Sequence, residues 1–141
     1  MTPKQIIEHL DLAPHPEGGW YRQTWIDTES TGRPTGTAIY FLLEDGQASH
    51  WHRVDATEIW HFYAGAPLTL RLSETETGPA TRHRLGPNLA DGQSPQLIVP
   101  KDRWQSATAS DGWALVGCTV SPGFSFDGFT LAPEGFDIPP A

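Results

Sequence analysis

Over most of the chain, apolar and polar residues alternate with the period of two that a β-strand imposes. Leu68, Leu70 and Leu72 are separated by Thr69, Arg71 and Ser73, the pattern of a strand with one buried face. Residues 37–43 are almost continuously apolar or aromatic, which predicts a strand covered on both faces. The same reading predicts strands over residues 20–26, 48–54, 58–63, 81–85, 97–99, 104–108, 113–120 and 124–131. Asp91-Gly92 and Asp111-Gly112, between these runs, and Asp127-Gly128, inside the last, are turn signals at intervals. Helical periodicity occurs once, at the start. Thr2 is a capping residue, Pro3 suits the first helical position, and Gln5 completes a capping box. Ile6, Ile7 and Leu10 then form an apolar stripe, and Pro14 and Pro16 stop the helix. Many short strands behind one helix predict an all-β barrel or jelly roll.

Composition narrows this. The 141 residues suit a single domain over 1–141, with a helix at about 2–12 and a barrel at about 18–131. The 14 glycines and 13 prolines fit a turn-rich β protein and argue against a helical bundle. A formal charge of −8 disfavours nucleic acid and anionic membranes as partners, because polyanion binding needs clustered Lys and Arg. Cys118 is the only cysteine, so no intrachain disulfide forms and nothing suggests secretion. No signal peptide or membrane-length apolar run is present, and the expected location is the cytoplasm.

The candidate chemistry centres on His50 and His52. Side chains at i and i+2 of a strand share a face, so both imidazoles are expected to aim at one point. A turn at Asp55-Ala56 would bring Glu58 back beside them. Two imidazoles and a carboxylate suit a divalent transition metal: Fe, Mn, Ni or Zn. Parity then sends Trp60 and Phe62 inward with Glu58, and His61 and Tyr63 outward. Without a metal, a histidine oriented by Glu58 could act as a base, and Tyr40 or Tyr21 as an acid, in a proton transfer beside a carbonyl. Arg22 could anchor a phosphate or carboxylate, although an ordinary surface ion pair explains it equally well. The six tryptophans could wall a site for flat ligands, though most of them fit a core better.

Gly46, His50, His52, Glu58 and Gly65 resemble the first motif of the cupin superfamily. The second motif is matched by the run from Pro100 to Gln105. Here Asp102 stands in place of a glycine, and Gln105 in place of the histidine that is the fourth metal ligand. A glutamine carbonyl binds such metals more weakly than imidazole does. Together with Gly18-Gly19-Trp20-Tyr21-Arg22, residues 58–65 and residues 116–124, these motifs resemble the fifth cupin family, from the first helix to Phe129. The resemblance implies a double-stranded β-helix, the cupin jelly-roll barrel, with a short N-terminal helix and usually a homodimer. It implies a small-molecule ligand in the barrel, sugar- or nucleotide-like, and no settled activity. The fold is similar to that of dTDP-sugar epimerases, which use no metal. Three readings stay open: ligand binding, with or without a metal held by His50, His52, Glu58 and Gln105; a metal-independent epimerase or isomerase; and a binding module without catalysis. Tyr21, Arg22, Trp60, Phe62 and Gln105 are the expected ligand contacts.

Overall fold

The computed structural model describes residues 1–29 and 31–141. It opens with helix α1 (Pro3–Leu10) and continues as short strands: β1 (Ala13–Pro14), β2 (Trp20–Ile26), β3 (Thr37–Leu43), β4 (Ala48–Val54), β5 (Thr57–Gly65) and β6 (Leu68–Ser73). After these come β7 (Thr81–Leu85), β8 (Gln96–Val99), β9 (Trp104–Thr108), β10 (Ala114–Ser121) and β11 (Phe129–Leu131). The capping box closes as the sequence predicts: Thr2 Oγ1 accepts from the Gln5 amide, and Gln5 Oε1 accepts from the Thr2 amide at 2.8 Å. Among the described residues no helix is long and apolar enough to cross a membrane.

The strands form two antiparallel sheets. One has the order β1-β2-β3-β10-β5-β8 and the other β11-β4-β9-β6-β7. Their inner faces pack together in a barrel whose core includes Phe41, Trp60, Leu68, Leu70 and Val116. The outer face of β3 is covered too, because Ile6 and Leu12 pack on Leu42. That double cover explains the unbroken apolar run of β3. On the second sheet, the chain after β11 folds back over Trp51 and Trp104, burying Ala132 and Ile138. This tail lies beyond residue 131, where the predicted barrel ends, and carries no strand periodicity of its own.

One strand is shorter than expected. Of residues 124–131 only Phe129–Leu131 form a strand, because Phe126–Gly128 form a 3₁₀ turn with the Ser125 hydroxyl accepting from the Asp127 amide. The Asp127-Gly128 turn signal had marked this break.

The barrel interior has two unlike ends. Register pairs Ala114 with Leu43 and Gly65 at one end of β10, and Val120 with Thr37 and Glu58 at the other. The first end is filled by aliphatic side chains: Leu43, Leu68, Leu70, Leu85 and Ala114 are no more than 1% exposed. The second is hollow.

Candidate functional site

The hollow end holds a cavity of about 190 Å³. Glu17, His52 and Glu58 give it polar walls, and Ile39, Phe124 and Phe126 give it apolar ones. It is smaller than the ~300–1,000 Å³ of drug-sized sites, so it suits a small ligand.

A β-bulge shapes the site. Ser49 pairs with Ala107 and His52 with Gln105, so His50 and Trp51 together oppose the single residue Ser106. An extra residue breaks the alternation of faces. His52 remains turned inward, 2% exposed, while His50 leans to the sheet edge with its Nε2 2.9 Å from the Pro133 carbonyl. The expectation that both imidazoles aim at one point is therefore corrected: His50 does not line the cavity.

The bulge also frees the His50 amide from the ladder, and it donates to the Glu17 carbonyl at 2.7 Å. This bond docks the loop between β1 and β2 across β4 and carries Glu17 into the barrel mouth. Gly18 and Gly19, both at positive φ, make the docking possible. A Cβ on Gly18 would strike the Ala48 carbonyl, and one on Gly19 would press on the Leu42 carbonyl and the Leu43 side chain.

His52 and Glu17 form the centre of the site. His52 Nε2 lies 3.0 Å from Glu17 Oε2, and its Nδ1 donates to its own strand's His50 carbonyl at 2.7 Å. With acceptors at both nitrogens, the ring carries two protons. Burial opposes the charge, but Glu17, by charge and hydrogen bond, and Glu58, by charge, outweigh it and push the His52 pKa to about 9. Burial likewise acts to raise Glu17, yet the adjacent imidazolium holds it below its ordinary value. His15 is the opposite case. Its Nδ1 accepts from the Glu17 amide at 3.1 Å, and burial lowers its pKa, so the ring is neutral. Its edge packs on Tyr21 with ring centroids 4.4 Å apart.

Glu58 belongs to a second chain of bonds, reached through the neutral side chains of Trp60 and Gln105. The Trp60 indole donates to Gln105 Oε1 at 2.9 Å, and Gln105 Nε2 donates to Glu58 Oε1 at 2.8 Å. The indole therefore fixes which end of the amide meets the carboxyl. Burial, reinforced by the Glu17 charge, raises the Glu58 pKa. Burial also pushes the neighbouring Cys118 thiol well up, so it stays protonated and unreactive.

The other expected contacts divide. Tyr21 pairs with Phe41 across β2 and β3 and lines the cavity. Tyr40, one residue from Phe41, faces the opposite side, against the helix-covered cluster and beneath the Arg22 guanidinium at 5.5 Å. Arg22 donates to the Leu10 carbonyl at 2.6 Å. Neither reaches the cavity. Trp60 and Phe62 face inward as parity predicted, but they pack in the core and do not line the cavity. Gln105 meets Glu58 behind the cavity wall. Glu17 and His15 escaped the sequence reading because they sit in a loop with no period; the Gly18-Gly19 pair was their one signal.

These positions do not fit the metal set expected from sequence. His50 is turned away, both nitrogens of His52 are engaged, and Gln105 is held between Trp60 and Glu58. Among the described residues no group of three or more His, Cys, Asp or Glu has a metal-binding arrangement.

No curated protein matches the chain. Among solved structures, a Shewanella oneidensis protein is 41% identical with a TM-score of 0.87, the match covering 94% of this chain and 85% of that one. A hypothetical protein from Leishmania major is 29% identical with a TM-score of 0.85, covering 96% and 90%. The oxalate decarboxylase of Bacillus subtilis shares the fold at 16% identity and a TM-score of 0.65, over 84% of this chain and 29% of that one. The family described as Cupin superfamily (DUF985) matches residues 4–132, over the helix, both sheets and the cavity they enclose, and the chain belongs to it.

Proposed function

We propose that the hollow end of the barrel binds a small polar molecule and moves a proton on it, with Glu17 and His52 as the acid–base couple and Tyr21 as a second proton-bearing group. The observation that carries this is the buried Glu17–His52 pair, 3.0 Å apart on the wall of a cavity that Tyr21 also lines. A buried ion pair is an expensive way to stabilise a fold, because desolvation offsets much of the attraction. Perturbed groups that meet in a cleft favour a chemical role.

The roles follow from the protonation states. His52 enters protonated, since its pKa lies well above neutrality, and with both N–H groups held by Glu17 and the His50 carbonyl it acts through its charge and as the proton donor to Glu17. Glu17 is the anionic partner able to accept a proton from a bound carbon acid. Exchange of carbon-bound hydrogen with solvent would follow in small carbonyl compounds, amino ketones and keto-sugars among them. The test is deuterium incorporation, followed by NMR, into a panel of such compounds. We expect exchange with wild type and at least a hundredfold loss in Glu17→Gln, the scale typical of general acid–base groups. Binding without exchange across the panel would replace this reading with a non-catalytic binding module. Stoichiometric metal in protein purified without chelator, lost in His52→Ala, would overturn it in favour of metal chemistry.

A further inference from the structure

The charge of the ligand can be read from what surrounds the cavity. Among the described residues its walls include the two carboxyl groups of Glu17 and Glu58 and no lysine or arginine. The guanidinium groups of the surrounding strands and loops are committed elsewhere. Arg22 is bonded to Leu10, and Arg53 lies over the Trp104 ring at 5.1 Å on the outside of the second sheet. Arg33 forks onto Asp55 at 2.7 and 3.0 Å and donates to the Gly123 carbonyl. The one cation at the cavity, His52, spends both of its N–H groups on Glu17 and on the His50 carbonyl. An anionic ligand would therefore be desolvated beside two carboxyl groups with no free positive partner, a heavily penalised arrangement. A cation finds the reverse. The Glu17 charge is already balanced by His52, so the Glu58 carboxyl remains for a second positive group. The faces and edges of Tyr21, Phe124 and Phe126 complete an aromatic mouth of the kind that holds ammonium groups.

We infer that this cavity selects a small organic cation, an amine or ammonium on a compact apolar body, over neutral or anionic molecules of the same shape. The inference deepens the reading of the cavity as a ligand site and rests on it. It also replaces the phosphate or carboxylate ligand that Arg22 had suggested, since Arg22 lies outside.

Three probes of one shape decide it: cyclohexylammonium, cyclohexanol and cyclohexanecarboxylate. Each is titrated into the wild-type protein, with binding located by the NMR signals of His52 and Tyr21. The expected order is cation, then alcohol, then carboxylate, with the cation about tenfold or more tighter than the alcohol. In Glu58→Gln the ratio of cation to alcohol affinity narrows; the wild-type series is decisive by itself if that variant does not fold. Alcohol or carboxylate binding as tightly as the cation overturns the charge selection and leaves the cavity a ligand site. Binding of none of the three overturns both.

Discussion

The two ends of the barrel are built by the same strands, and they differ in almost every other respect. On β10, Ala114 and Val116 face a solid aliphatic end, while Val120, on the same face, borders a hollow, polar one. On β5 the step from Trp60 to Glu58 crosses the same divide. Strand alternation alone cannot generate this contrast, because it is identical at both ends. The contrast comes from the single bulged residue in β4 and from the glycine loop it docks, which together exchange a hydrophobic plug for Glu17.

The comparison can be broken most severely at the polar end. Glu17→Ala strips the partner from a buried imidazolium and is expected to destabilise the protein by about 3–5 kcal/mol, read by urea denaturation. At the filled end, Leu70→Ala should cost about 2–5 kcal/mol through the cavity it leaves, with ligand titration at the hollow end unchanged. If Leu70→Ala abolished ligand binding as well, the two ends would not be independent.

Changing pH separates the ends more gently. The folded pKa of His52, about 9, exceeds its ordinary 6.5, so the pair's contribution is complete below 6.5 and lost as pH rises through about 9. Glu17 is held below its ordinary 4.5, so its contribution is present above that value and lost as pH falls through the lower, folded one. The melting temperature of wild type should therefore decline from neutrality towards pH 9 and beyond. The stability lost on that rise should be smaller than the loss caused by Glu17→Ala at neutral pH, because a neutral His52 still keeps its packing. In Glu17→Ala the alkaline decline should flatten. The smallest effect is expected away from both ends: Thr2→Ala removes the helix cap at a cost of about 1 kcal/mol, with the cavity unaffected.

Most of the fold was legible because alternation and turn residues are local signals. The bounds of β2, β3, β4, β7 and β9 follow from them directly, as does the capping box of α1. The site was legible only in part. His52, Glu58 and Tyr21 reach the cavity, and the inward turn of Trp60 followed from parity. His50 misled because the period-two rule continues through a bulge that no residue type announces. Tyr40 misled because it lies on a strand covered on both faces, where neither parity nor polarity says which side is the pocket; Arg22, its cross-strand partner on β2, turns to the same helix-covered side. Glu17 was invisible because its position is set by tertiary bonds, the His50 amide to its carbonyl and the His52 ring to its carboxylate, rather than by any pattern around it.

The bulge in β4 acts on facing as a frameshift acts on codons. One residue more or fewer between Ser49 and His52 would reverse the side to which one flank of the strand points, leaving composition almost untouched. Barrels of this kind can therefore pass between a histidine pair that converges and one that diverges through a one-residue change in length. Two close relatives with nearly the same residues here could carry different chemistry for that reason alone, and strand length between these landmarks is the quantity by which to sort them.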